Sequence, residues 1–539
     1  MISMVSIENC ARLSVGEQWL GVGSPAQGHL VQFVGISSLD FLVRLEPTDG
    51  HQFDFHESRI EQGLKSLRPR GSYDPEATGR PHMPAHDLPE GLAADLEGEP
   101  FDGDMTAWAD NLPDSLLDVV ARIAEKGAGV WLVGGSVREA LLGRGEHDYD
   151  LAVTLTPDEM LSLFPRSIPT GVTYGTVTLR TSEPNSDGAP NDDGEATELM
   201  FEATTLRTES EYGDGRRPDV VAFGSSLATD LSRRDLTINS IAVDLARRQI
   251  HDPFGGGADL MNRNLRAVGN AAHRLSEDGL RIMRAYRFMD QGEAGVWHPD
   301  KQLADAMVSC AGMLDKVAAE RVWHEFSRIL SGVNAGQVLA RMEEDGVLSR
   351  LLPGWPSLAE PQNELGEVDS TWLVPARLAM LACGSEVMRW RLLDDDLRVL
   401  KVPNQVRQHA LLLHKLLGTL PPSNDEASLR LYRAASGEAM NPHLAIEAAL
   451  DPRGNSTAVH ECLNALPELV AGTAPLIDGN TLSQRTGLAA GVRLGRLKSW
   501  LHRIQIEGDV KDAADLLTML DVLPWLEGDY DDWPTVAWP

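Results

Sequence analysis

The sequence is short of cysteine, lysine and long apolar runs, and each shortage argues against a class of protein. Its four cysteines, Cys10, Cys310, Cys383 and Cys462, lie far apart with no Cys-x-x-Cys pair, which argues against a disulfide framework and a zinc site and for a reducing cytoplasm. No apolar run approaches the roughly 18 residues of a membrane span, and no N-terminal signal pattern is present. A soluble, cytoplasmic protein without a membrane partner is expected. Net positive charge is missing too. At −32 the chain does not read as a general nucleic-acid binder, because phosphate contacts draw on lysine and arginine.

What is present is arginine, crowded into one region. Between Arg207 and Arg287 stand Arg216, Arg217, Arg233, Arg234, Arg247, Arg248, Arg263, Arg266, Arg274, Arg281 and Arg284. A positive site inside a negative molecule is the expectation. The 539 residues are too many for one core, so roughly two to four domains are expected.

The stretch from Val130 to Val153 reads VWLVGGSVREALLGRGEHDYDLAV. An apolar run meets Gly134 and Gly135, Ser136 to Leu142 reads as a short helix stopped by Gly143, and Asp148 and Asp150 stand on a second apolar run. The predicted order is strand, glycine turn, helix, strand. Glycine lets the backbone approach a ligand closely and a helix start offers free N–H groups, so the turn suits phosphate, with Arg138 reinforcing it. Strand side chains alternate faces, so Asp148 and Asp150 point the same way, and two convergent carboxylates make a hard oxygen site for Mg²⁺.

In order and spacing these residues resemble the nucleotidyltransferase family of CCA-adding enzymes and bacterial poly(A) polymerases (class II). The family pattern GG-x-VRD-x-LLG followed by D-x-D is matched by Gly134, Gly135, Val137, Arg138, Leu141, Leu142, Gly143, Asp148 and Asp150, with Glu139 where the family usually has Asp. LMFEATTLR (Leu199 to Arg207) is similar to the family's EATTFR segment and makes Glu202 a candidate third carboxylate near the metals. DLSRRDLTINSIAVD (Asp230 to Asp244) resembles RRDFTINA. That likeness implies Arg234 and Asn239 as donors to a nucleotide's sugar and phosphates, and Asp235 as the partner that orients an arginine. Arg266 to Phe288 resembles the neck helix, with Glu277, Asp278 and Arg281 matching E-D-x-x-R. Ser136 and Arg284 complete the candidate nucleotide-binding set.

The expected fold class is multidomain α+β. Residues 1–72 read as a small β-rich domain of unassigned role, and 73–111 as an acidic Pro/Gly linker that buries too little apolar surface to fold. The resemblance then implies a nucleotidyltransferase α/β head with a mixed sheet over 112–252, a helical neck carrying the nucleotide-selecting helix over 253–355, and an all-α, RNA-binding body and tail over 356–539. Ser182 to Glu198 reads as a disordered hairpin excursion, Thr208 to Phe223 as a polar, Gly-rich loop that the resemblance places over the site, Thr170 to Arg180 as one strand, and the last dozen residues as a tail.

The implied reaction moves a nucleoside monophosphate from CTP or ATP to an RNA 3′-hydroxyl and releases pyrophosphate, with two Mg²⁺ held by Asp148 and Asp150. TGVTYGTVTL lacks the basic RRF-like signature of poly(A) polymerases and looks like the CCA-adding form, so tRNA is the expected RNA partner. Poly(A) polymerisation and partial CC- or A-addition are the alternatives within the family, and a catalytically idle RNA-binding protein lies outside it. Asp278 and Arg281, three apart on a predicted helix, can meet one base edge together, and Glu277 can brace Arg281.

Overall fold

The computed structural model describes residues 18–21, 30–37, 42–47, 53–55, 67–69, 87–144, 148–182, 198–208, 222–355, 365, 368–383 and 390–539. They belong to two units, taken here in turn. The first contains a five-stranded antiparallel sheet of β1 (Gln18–Gly21), β2 (Leu30–Ser37), β3 (Leu42–Pro47), β4 (Phe53–Phe55) and β5 (Leu67–Pro69) in the order β4-β3-β2-β1-β5. β1 is paired on both sides, and the register of β2 against β3 slips between Phe33 and Gly35.

The second unit is built on an eight-stranded mixed sheet. In chain order its strands are β6 (Glu99–Pro100), β7 (Val130–Val133), β8 (Asp150–Val153), β9 (Ile168–Gly171), β10 (Thr176–Ser182) and β11 (Glu198–Thr205). After the two-residue ladder of β12 (Arg207–Thr208) and β13 (Ala222–Phe223) come β14 (Ala242–Asp244) and β15 (Gln249–His251), and the spatial order is β6-β15-β14-β7-β8-β11-β10-β9. Central β7 is buried along its whole length, as an unbroken apolar run in mid-sheet should be. Trp131 and Val133 pack with Ala152, Leu206, Leu227, Leu231 and Ala242 on one side of it. The stretch expected as a single strand over 170–180 is broken instead. A 3₁₀ turn at Val172–Tyr174, closed by Gly175 at φ 85°, separates β9 from β10 and folds them antiparallel.

The linker expected over 73–111 is folded from residue 87 onward. β6 pairs with β15 (Ile250 opposite Glu99), and Asp102 caps the helix Gly103–Asp110 by accepting from the Met105 amide at 2.8 Å. Leu88, Met105 and Ala109 are buried, while Arg247 and Arg248 tie back to the Gly91 carbonyl and to Asp110. An acidic composition averaged over the segment hides this, because a sheet edge is joined by backbone hydrogen bonds that any side chains permit. Residues 73–86, 183–197 and 209–221, and with them most of the excursion and loop read above, lie outside the described residues.

From residue 271 the second unit is helical. The continuous neck helix expected over 266–288 is two helices, Ala271–Glu277 and Leu280–Met289. Asp278 between them is extended (φ −145°, ψ 109°) and its side chain accepts from the Leu280 amide at 3.0 Å. The residue after the break is held to glycine by a tertiary contact: a Cβ on Gly279 would stand 2.5 Å from the Met313 carbonyl oxygen. The helix Ala319–Ser331 follows, then Ala335–Glu344 and Val347–Leu351, divided at Gly346. The chain end, expected as a loose tail, is packed. Trp533 is buried against the helix Val492–Gly508, and Trp538 meets Tyr432 edge to face at 5.5 Å while its indole donates to the Thr419 carbonyl at 2.7 Å. Among the described residues no helix is long and apolar enough to cross a membrane.

Candidate active site

Strand register brings the acidic residues together. Val133, the last residue of β7, lies opposite Asp150 on β8, and Asp150 lies beside Glu202 on β11, which runs parallel to β8. Cross-strand neighbours share a face, so the Asp150 and Glu202 carboxylates adjoin, with Asp148 two residues before on the same wall. Asp148 and Glu202 are exposed and Asp150 is partly buried. Burial pushes the Asp150 carboxyl up to about 6, Glu202 and Asp148 push it the same way, and Arg234 opposes them. Among the described residues no group of three or more His, Cys, Asp or Glu is placed to hold a metal ion together. An open pair of carboxylates fits a hard cation that keeps most of its coordination for phosphate oxygens and water.

The glycine turn is set against these acids. Gly134 has φ 78° and ψ −133°, and a Cβ there would stand 3.0 Å from Asp150 Oδ2, so both the conformation and the close approach demand glycine. The helix Gly135–Leu141 starts at once, and Gly135 and Arg138 face the cavity. Ser136 does not. Its hydroxyl is buried and donates to the Val133 carbonyl at 3.2 Å, satisfying the end of the strand.

Arg138 is held on three sides. Its Nε and Nη2 donate to Glu139 Oε1 at 2.9 and 2.8 Å, and its Nη1 donates to Asn239 Oδ1 at 2.6 Å. Glu139, one methylene longer than the family's Asp, also accepts from Arg144 at 3.4 Å. Asn239 passes the chain on, its Nδ2 donating to Asp235 Oδ1 at 3.2 Å. Asp235 is buried, which alone would raise its carboxyl. The Arg284 guanidinium, 2.5 Å away, and hydrogen bonds from the Leu236 amide and Asn239 outweigh burial and hold it well below the usual carboxylate range. Arg234 donates to Asp230 at 3.2 Å and to the Asn239 carbonyl at 3.4 Å.

On the opposite wall, Glu277 accepts from Arg281 at 2.5 Å and from Arg274 at 2.8 Å, and Arg281 also donates to the Arg233 carbonyl at 3.0 Å. Glu277 is thus a brace and not part of the wall. Asp278 and Arg281 both line the cavity, but across the helix break and not on one helix face. Asp278 accepts from Arg321 Nη2 at 2.8 Å.

The enclosed space is about 710 Å³ and is lined by nine arginines against six carboxylates, so a chain of net charge −32 turns an arginine-rich concavity toward a ligand. Of the arginine cluster read from sequence, Arg207, Arg233, Arg234, Arg281, Arg284 and Arg287 reach it. Arg247, Arg248, Arg266 and Arg274 are bound instead to Asp244, Asp110, Asp259 and Glu277, and Arg216 and Arg217 lie outside the described residues. Sequence reading missed the roles of Phe288, Arg321 and Arg328. Phe288 gathers Arg138, Arg284 and Arg287 around its ring at 5.1, 5.5 and 4.1 Å. Arg321 and Arg328, seven apart on the helix Ala319–Ser331, had a signal in their spacing of two turns.

A mixed sheet that sets two aspartates and a glycine turn against an arginine-lined cavity defines a nucleotidyltransferase. The family described as "Poly A polymerase head domain" matches residues 130–266, and "Probable RNA and SrmB- binding site of polymerase A" matches 298–358. The CCA-adding enzyme of Geobacillus sp. (strain WCH70) is 31% identical over 410 residues, covering 74% of this chain and 94% of its own; that of Lacticaseibacillus paracasei is 33% identical over 75% and 95%. The crystal structure of the Bacillus stearothermophilus CCA-adding enzyme in complex with CTP superimposes with a TM-score of 0.58 at 26% identity, over 76% of this chain and 96% of that one. The chain belongs to the family of CCA-adding enzymes.

Proposed function

We propose that this protein adds C, C and A to the 3′ end of tRNA from CTP and ATP, releasing pyrophosphate, with Mg²⁺ at Asp148 and Asp150 and Glu202 beside them. The observation that carries the reading is the register that lines up Val133, Asp150 and Glu202 at the glycine turn, facing the arginines of the cavity. Bound Mg²⁺ would supply charge neutralisation on the attacking and leaving oxygens. The rest falls to this chain's side chains. Arg138, Arg234, Arg284 and Arg287 offer a fixed set of donors to a triphosphate, and each is held by a carboxylate that stops it collapsing onto the acids of the metal wall. Arg138, for example, is anchored by Glu139 and Asn239.

Base choice is assigned to Asp278 and Arg281. A carboxylate accepts from the exocyclic amine of cytosine or adenine while a guanidinium donates to the ring nitrogen. Uracil and guanine set a carbonyl against the carboxylate, which costs about 1–3 kcal/mol for the unpaired group. The glutamate brace keeps the Arg281 fork aimed across the break. In this reading the head takes in residues 87–111 together with 112–252, the neck spans 253–355, and the helices of 356–539 carry the tRNA. The cytoplasm is the compartment in which it would meet both substrates. Incubation with Mg²⁺, tRNA lacking its 3′ end and each labelled triphosphate is the test. Stepwise extension by three nucleotides, C, C and A, is expected, whereas long A tracts or extension by UTP would overturn the assignment.

A further inference from the structure

The arginine-lined cavity has a neighbour. A second cavity of about 500 Å³ shares Arg138, Arg287, Phe288 and Arg328 with it and adds Arg144 and Asp290. Asp148, Asp150 and Glu202 are absent from its walls. Its charges do not cancel. Glu139 is already engaged by Arg138 and Arg144, and Asp290 is filled by the Gly292 and Asn334 amides and the Asn334 side chain, each at 2.8 or 2.9 Å. Among the described residues the Arg144 side chain makes two contacts of 3.4 Å, to Glu139 and Gln291, and Arg328 has no hydrogen bond or ion pair. The ring of Phe288 holds Arg138 and Arg287 in the wall between the two spaces.

In-line displacement at phosphorus expels the leaving group on the side opposite the attacking oxygen. Both reacting oxygens would be met at the carboxylate wall, and the outer phosphates of the triphosphate rest on the arginines, so the freed pyrophosphate is left on Arg138 and Arg287, which the two cavities share. We propose that the second cavity receives this pyrophosphate, with Arg144 and Arg328 taking it over from the two shared arginines. The proposal rests on reading the first cavity as the triphosphate site. As the 3′-hydroxyl loses its proton to solvent water and its oxygen bonds to the α-phosphorus, the bond to the bridging oxygen breaks, that oxygen keeps the electron pair, and no further co-reactant is needed.

With CTP saturating and RNA absent, the first cavity is filled and nothing turns over, so magnesium pyrophosphate titrated into that complex reads the second cavity alone. One pyrophosphate is expected to bind the wild-type complex. Arg144→Ala should bind it about tenfold or more weakly, Arg144→Lys should recover most of the loss, and CTP affinity should be the same in all three proteins. Equal pyrophosphate affinity in wild type and Arg144→Ala, displacement of CTP by pyrophosphate, or a parallel fall in CTP affinity overturns the assignment. Weakened tRNA binding in Arg144→Ala with pyrophosphate binding intact gives the cavity to an RNA phosphate instead. If CTP fails to bind the wild-type protein at all, the triphosphate reading falls, and this proposal with it.

Discussion

Asp150 sits partly buried between Glu202 and Asp148, and its carboxyl is pushed up to about 6 because charge there is poorly solvated and faces charge of its own sign. The folded chain therefore keeps this proton to higher pH than the unfolded chain does. In cation-free protein the group's contribution to stability is complete below its ordinary range near 4 and is lost as pH rises through about 6. A divalent cation binds only the deprotonated acids and reverses the trend. The rise in melting temperature on adding Mg²⁺ should be clearly larger at about pH 7.5 than at about pH 5, and equal rises would remove Asp150 from the cation site. Asp148→Ala and Asp150→Ala should each lower the rate of nucleotide addition by on the order of a thousandfold or more while leaving the circular dichroism spectrum intact. Near-normal turnover in either variant would sink the metal assignment.

The helices on either side of Asp278 show how an element can look continuous in sequence and break in space. Nothing local forbids a helix through Asp278 and Gly279, since a single glycine weakens a helix by only about 1 kcal/mol. The break falls at Asp278, which is extended, and the next residue is held to glycine by Met313, far along the chain, whose carbonyl occupies the space a side chain at 279 would need. Gly279→Ala is therefore expected to destabilise the fold by about 1–3 kcal/mol and to relax rejection of UTP and GTP by moving Asp278. Melting curves and a four-nucleotide incorporation assay check this, and a fully stable, fully selective variant would contradict it. The same contrast explains what was legible. The turn from Val130 to Val153 and the segment from Asp230 to Asp244 carry their geometry within a few residues, so sequence reading placed Gly134, Arg138, Asp148, Asp150, Arg234, Asp235 and Asn239 on what proves to be one cavity wall. Phe288, Arg321 and Arg328 enter only through the packing of one helix on another, and that the strand end claims the Ser136 hydroxyl shows only in space.

At the scale of the whole molecule, the relatives are almost fully covered by three quarters of this chain. A protein starting at Pro84 keeps β6 and the helix Gly103–Asp110 and should still extend tRNA, whereas one starting at Leu112 loses the β6 ladder and should melt at lower temperature. If the Pro84 form is folded but inactive, the N-terminal sheet supplies something the reaction needs. The distribution of charge has a further consequence. A tRNA at a distance meets a net charge of −32, and at the mouth of the cavity it meets a concentration of arginine. Dissolved ions screen over about 10 Å at 0.1 M, so modest salt should mute the far repulsion before it weakens the contacts at short range. Stopped-flow capture of tRNA is expected to quicken, pass through a maximum and then slow as salt is added, the reverse of the initial trend for a basic RNA-binding surface. The surrounding electrolyte then acts as a throttle on encounter, set by the outside of the protein and not by its catalytic groups.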